Sequence, residues 1–261
     1  MSLPPPGYQP FAPGLLRPDW HLPPGVQALV STREGGASLP PWASFNLGSH
    51  VGDDARAVAA NRARLCAAIG AQPVWLEQVH GCVVADADGA VGVPEADAAV
   101  ARIPGRACAV MTADCLPVLF CDDEGGVVAA AHAGWRGLAA GVLERTVERM
   151  GVAPGRVRAW LGPAIGPAAF EVGDEVRAAF VAADAGAAAA FVAGAAPGKW
   201  LADLFMLARR RLEAAGVRRI DGGGVCTVAD PALFYSYRRD GTTGRFVSLI
   251  WLEEGRPRGI A

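Results

Sequence analysis

The chain has 261 residues, 52% hydrophobic and 19% charged, with a formal net charge of −2. That excludes a disordered chain and allows a sizeable core. No Lys/Arg-rich block occurs and Lys199 is the only lysine, so there is no electrostatic footprint for nucleic acid.

The start, MSLPPPGYQPFAPG, lacks the basic and apolar regions of a signal peptide. No apolar run reaches the ~18 residues of a membrane span. The expectation is a cytoplasmic protein that acts without a membrane. Residues 1–24 read as a Pro-rich, aperiodic arm, and 25–261 as a single domain. Gln27–Ser31 reads as a strand, and Thr32–Gly52 as a long loop of turn residues, a length that usually signals function or disorder. Asp53 or Asp54 can cap a helix running to Ile69. Short β-like runs follow: Val74–Val79, Cys82–Ala85, Ala96–Ala101 and Ala107–Thr112. Leu116–Cys121 and Val127–His132 flank the turn sequence DDEGG, a hairpin signal. Leu138–Met150 patterns as an amphipathic helix and Val157–Leu161 as a strand. Val172–Ala183 and Leu201–Ala214 read as helices, Gly222–Val228 and Phe246–Leu252 as strands. Helices and strands mix without βαβ alternation, which predicts an α+β fold with helices covering sheet faces.

The six cysteines, Cys66, Cys82, Cys108, Cys115, Cys121 and Cys226, form no CxxC pair, which fits a reducing compartment. Two of the four histidines share a context. His80 and His132 each close a β-like segment and lead into glycine, in QVHG and AHAGWRG. Between them Asp114 and Cys115 interrupt an apolar stretch, which is costly unless their polar groups are satisfied. Two imidazoles and a thiolate suit zinc, and three protein ligands leave a fourth position for water or substrate. The same donors can also bind copper. A third reading makes Cys115 a thiolate nucleophile activated by a histidine. A histidine at a strand end can equally be no more than a hydrogen-bonded residue.

The segments EQVHG (Glu77–Gly81), TADCLPVLF (Thr112–Phe120) and AAHAGWRG (Ala130–Gly137) resemble the YfiH / laccase-domain family, also called polyphenol oxidases. So do FNLGSHVGDD (Phe45–Asp54), LGPAIGPAAFEVGDEV (Leu161–Val176) and FYSYRRDGTTGR (Phe234–Arg245). They run in the family's order from about residue 26 to 252. The resemblance implies a zinc site on His80, Cys115 and His132, with copper less expected. It also implies an α+β fold built as a four-layer α/β/β/α sandwich with mixed sheets. Family members act on purine nucleosides, by phosphorolysis of adenosine, inosine and methylthioadenosine and by deamination of adenosine. The implied partners are therefore a purine nucleoside and phosphate. Other activities attributed within the family are an amidase editing muramyl peptidoglycan precursors and a copper-dependent polyphenol oxidase.

Around these ligands the candidates are as follows. Arg33, in TREGG, can bind phosphate or remain a solvated loop residue. Arg136, beside Trp135, lies close to His132 in sequence and reads as catalytic. Asn46 and His50 on the long loop read as substrate-binding, or as turn caps. Gln78 on a strand would face the same side as His80. Asp114 would point away from Cys115 on a regular strand, orienting a histidine or moving a proton.

Overall fold

In a computed structural model the chain is described from residue 2 to residue 254; the expected last stretch of the domain, 255–261, lies outside the described residues. In chain order the strands are Tyr8–Ala12 (β1), Leu15–Pro18 (β2), Val26–Ser31 (β3), Gln72–Val74 (β4), Val84–Asp86 (β5), Ala98–Ala101 (β6), Arg106–Thr112 (β7), Leu116–Asp122 (β8), Val128–Ala133 (β9), Val157–Leu161 (β10), Glu171–Gly173 (β11), Phe191–Ala193 (β12), Lys199–Ala202 (β13), Arg219–Gly222 (β14) and Phe246–Leu252 (β15). The helices are Ala55–Ile69 (α1), Trp135–Ala140 (α2), Val142–Met150 (α3), Asp174–Ala183 (α4), Leu204–Ala214 (α5) and Tyr237–Asp240 (α6).

Two six-stranded sheets form, in the orders β1-β2-β3-β15-β7-β4 and β14-β10-β8-β9-β6-β5, beside a small sheet β11-β13-β12. Both large sheets are mixed: β4 runs parallel to β7, and β5 to β6, while β8 pairs antiparallel with β9 and β10. Side chains alternate between faces every second residue, and this sorts the strands into three apolar layers. Cys108 and Val110 of β7 meet Leu119 and Cys121 of β8 between the sheets. Ala107, Ala109 and Met111 face the other way, onto Leu65 and Ile69 of α1. Val118 and Phe120 of β8 turn outward onto Leu143, Val147, Leu207 and Leu212 of α3 and α5. Three interfaces make four layers, helix, sheet, sheet and helix, as the motifs imply.

The DDEGG turn closes the β8–β9 hairpin because Asp122 accepts hydrogen bonds from Gly126 and Val127 amides at 2.6 and 3.0 Å. Asp54 caps α1 through the Arg56 amide at 2.7 Å. Several local expectations need correction. The aperiodic arm contains a hairpin, β1–β2, that extends the first sheet. The Val74–Val79 run is strand only at its start, because Glu77 leaves it for a bridge to Glu95. Leu138–Met150 is two helices, broken at Gly141, whose φ of 101° no helix accepts. Residues 171–173 and 199–202 pair as β11 and β13, so α4 and α5 start later than their apolar patterns suggest. The Asp203 carboxylate then caps α5 at the Met206 amide. Gly222–Val228 contributes only the end of β14. Among the described residues no helix is long and apolar enough to cross a membrane.

Candidate metal centre

The hairpin register places the chemistry at one end of the second sheet. His132 sits on β9 opposite Pro117, and Leu116 pairs with Ala133. Cys115 lies in the tight turn between β7 and β8. His80 comes from the turn that leads to β5. Among the described residues, His80 and Asp114 are the non-glycine residues with left-handed backbones, at φ 62° and 101°. Such conformations cost energy and persist only where surrounding contacts over-determine them.

Here those contacts are visible. Asp97, fully buried, accepts the amides of His80 (2.9 Å), Val79 (3.2 Å) and Gly81 (2.6 Å). The same carboxylate takes the Nδ1 proton of His132 at 2.8 Å. One acidic side chain therefore sets the His80 backbone and fixes the His132 tautomer, leaving Nε2 of His132 to face the site. Asp114 accepts from Thr227 Oγ1 and from the Arg238 amide, both at 2.6 Å. Its φ above zero turns Cys115 outward.

One ligand atom from each of His80, Cys115 and His132 lies within 4.8 Å of the others. Cys115 Sγ and His80 Nε2 are 3.9 Å apart. Metal–ligand bonds of ~2.0–2.3 Å at tetrahedral angles separate ligand atoms by roughly 3.3–3.8 Å. A slight inward movement is all that a metal ion would require, so the donor set can hold one. Burial opposes ionisation of Cys115, but the charge of His132 and hydrogen bonds from His132 and His80 outweigh it, pulling the thiol down to about 6. Burial likewise opposes a charge on His132, yet Cys115 and Asp97 together lift it to about 9. Both shifts favour the thiolate, the form in which cysteine binds metal or attacks carbon.

The glycines of AHAGWRG follow from close packing. A Cβ at Gly134 would stand 2.9 Å from His80 Cδ2 and 3.1 Å from Cys115 Sγ. A Cβ at Gly137 would meet the Gly81 carbonyl oxygen at 2.6 Å, so α2 can lie directly on the His80 turn.

The triad opens into a cleft of about 450 Å³ lined by His50, Gln78, Trp135, Arg136, Phe170 and Arg245, among others. Asp114, Tyr237 and Arg238 line it too. Of the expected residues, His50, Gln78, His80, Asp114, Cys115, His132 and Arg136 come together here. Arg33 and Asn46 are not among the lining residues. Arg33 donates to the carbonyls of Ala43 and Pro231, both at 3.1 Å, and lies over the Tyr235 ring. Asn46 is fully buried and ties Gly48, Asp53 and the Arg245 amide together. Gln78 uses both ends of its amide on the Met111 backbone, at 2.9 and 2.8 Å, which docks the His80 turn onto β7. The residues that sequence reasoning missed are Asp97 and Arg245. The one available signal for Asp97 was a carboxylate within the apolar run EADAAVA.

The family model described as Multi-copper polyphenol oxidoreductase laccase matches residues 27–253. A purine nucleoside phosphorylase of Pseudomonas aeruginosa is 59% identical over 239 residues, covering 92% of this chain and 98% of that protein. Purine nucleoside phosphorylase YfiH of Escherichia coli is 56% identical over 241 residues, covering 91% and 98%. The crystal structure of a Neisseria meningitidis protein of the DUF152 family superposes with a TM-score of 0.90 at 51% identity, covering 92% of this chain and 99% of that one. That of YlmD from Geobacillus stearothermophilus gives 0.86 at 35% identity, covering 96% and 100%. With the family model matched over residues 27–253 and relatives 56–59% identical over more than nine-tenths of its length, the chain belongs to the YfiH / laccase-domain family, the multi-copper polyphenol oxidoreductase laccase family of the matching model.

Proposed function

We propose that this chain is a zinc-dependent purine nucleoside phosphorylase that takes adenosine, inosine and methylthioadenosine together with inorganic phosphate. The observation that carries this reading is the composition of the cleft. It joins a metal-capable His/Cys/His triad to three arginines, Arg136, Arg238 and Arg245. None of the three has an ion pair among the described residues. Asp114, the carboxylate lining the cleft, already spends its oxygens on Thr227 and Arg238. An anionic co-substrate suits such a site. The volume lies within the range of small-molecule pockets, ~300–1,000 Å³, and Trp135, Phe170 and Tyr237 offer aromatic faces to a purine. The names of the Pseudomonas and Escherichia relatives support the same reading.

In the proposed reaction a phosphate oxygen attacks C1′ of the ribose. The C1′–N9 bond breaks with its electron pair going to the purine, which takes up a proton. Ribose 1-phosphate and free base leave. The cationic lining holds phosphate and offsets the charge that gathers as the bond forms. Asp97 holds His132 in one tautomer, and Asp114 holds the turn that presents Cys115. Arg136 and His50 face the substrate from the rim. A zinc ion on His80, Cys115 and His132 would supply Lewis acidity at its open position. Zinc is favoured over copper because the described residues offer one three-ligand cluster of this kind, without the further centres of a multi-copper oxidase. The same cleft is proposed to deaminate adenosine, with water replacing the C6 amino group and ammonia leaving. All six cysteines are unbridged, which suits a cytoplasmic enzyme.

The test is zinc-loaded protein with inosine, with and without phosphate. Hypoxanthine and ribose 1-phosphate should form only with phosphate, and adenosine alone should release ammonia. Absence of base release with phosphate sinks the phosphorylase reading. A second reading has its own observation. Cys115, His132 and Asp97 form a thiol–imidazole–carboxylate array of the kind used by cysteine hydrolases. That reading, an amidase on muramyl peptides, predicts amino-acid release that is indifferent to phosphate.

A further inference from the structure

We infer that the phosphate is seated on Arg245, with Thr112 and His50 completing its pocket; this rests on the phosphorylase reading and names its anion subsite. The three arginines of the cleft are not equivalent. Arg136 is exposed and lies over the Trp135 ring at 4.5 Å, where water screens its charge. Arg238 spends its guanidinium on the carbonyls of Ala169 and Glu171, at 3.1–3.4 Å. Arg245 donates through Nη1 to the carbonyls of Thr243 and Gly244, at 3.1 and 3.0 Å. No partner is seen for its Nε and Nη2 among the described residues.

The backbone and stem of Arg245 are also firmly held. Its amide donates to Asn46 Oδ1 at 2.8 Å, and its carbonyl accepts the Leu47 amide at 3.1 Å. Its stem passes so close to Gly48 that a Cβ there would stand 2.8 Å from Cγ. The long loop, expected to carry substrate contacts, brings His50 to the cleft and also holds this cation in place. Burial disfavours the guanidinium charge, and the nearby Cys115, Asp114 and Tyr237 only partly offset this. An anion would complete the compensation.

A second group points to the same place. Thr112 is 2% exposed and lines the cleft, and its hydroxyl has no partner among the described residues. A buried hydroxyl left unpaired is costly unless something fills its valence, and a phosphate oxygen would. His50, also on the lining, is held below its ordinary imidazole value by burial and by the charges of Arg245 and Arg62. A neutral imidazole there can donate one hydrogen bond without adding charge.

The experiment uses wild type, Arg245→Gln and Thr112→Val, all zinc-loaded, with zinc content and unliganded Tm measured first. Two readouts follow: KM for inorganic phosphate and for inosine, and the rise in Tm on adding inorganic phosphate against a matched chloride control. Arg245→Gln should raise the phosphate KM by at least about ten-fold and abolish the phosphate-induced rise in Tm. The inosine KM should stay within about three-fold. Thr112→Val should likewise raise the phosphate KM and shrink the phosphate-induced rise in Tm, and it decides the matter if Arg245→Gln does not fold. An unchanged phosphate response in the folded variants overturns the subsite, as does a wild type that phosphate does not stabilise. A wild type that phosphate stabilises through Arg245 but that cleaves no nucleoside keeps the subsite and sinks the phosphorylase reading.

Discussion

Replacing Asp97 with asparagine tests the idea that one buried carboxylate builds the metal centre. Asparagine is nearly isosteric, so packing is conserved and only hydrogen bonding changes. Its oxygen can keep the Oδ1 position and go on serving the His80 amide and His132 Nδ1, now at 2.9 and 2.8 Å. Its NH₂ group must then face the amides of Val79 and Gly81, which now donate to Oδ2. Two donors lose their acceptor. Each such loss costs about 1–3 kcal/mol when fully buried, and partial exposure of this turn brings the total to about 2–3 kcal/mol. The His80 backbone, held at φ 62°, loses part of what restrains it, and His132 loses a charged partner. Loss of an acceptor behind a metal-binding histidine typically weakens metal binding 10–100-fold. Urea unfolding of both chelator-treated proteins reads the first effect, and zinc competition against a chromophoric chelator reads the second. Equal stability within ~0.5 kcal/mol together with affinity within three-fold would show that Asp97 does not organise the site.

Three further outcomes are expected. Gly134→Ala keeps an allowed backbone at φ −60°, ψ 153° but drives Cβ against His80 and Cys115; overpacking costs about 1–3 kcal/mol, and zinc content after dialysis should fall while circular dichroism is unchanged. Full zinc occupancy in that variant would contradict the close approach of α2 to the ligands. Arg33→Ala removes the clamp on Ala43 and Pro231, so scanning calorimetry should show a Tm loss of roughly 4–8 °C for about 2 kcal/mol; an unchanged Tm would return Arg33 to the solvated-loop reading. Asp123 is held below the usual carboxylate range, since the hydrogen bonds of Arg158 (2.7 Å) and Arg219 overcome the opposing burial. A lowered carboxylate stabilises the fold above its unfolded value, ~3.9, and that stabilisation is lost as pH falls through the folded value. The stability gap between wild type and Asp123→Asn should therefore be full near neutral pH and close in acid. A gap that is constant with pH would rule out the ion pair as its source.

What could be read along the chain was what local contacts determine. The DDEGG turn, the Asp54 cap and the alternation of β7 and β8 depend on neighbours a few residues apart, and they form as expected. His80, Cys115 and His132 were found because each carries its own short signature. The hairpin in the arm was missed because its proline-rich strands carry no alternating pattern, and β2 docks it on the edge of β3. Gly141 broke an apparently continuous helix because the apolar pattern records which faces are buried and not the backbone angles between them. Asp97 lies 35 residues from His132, and they meet only because β6 pairs with β9 in one register, Ala98 opposite Ala131. Arg245 is some 200 residues from Asn46, which holds it at the cleft. The donor types, and so the kind of ion the centre suits, were determined by the sequence itself. Which carboxylate orients the histidines and which arginine the long loop holds at the cleft were decided by strand register and layer packing. Those depend on contacts between distant segments, and no local pattern encodes them.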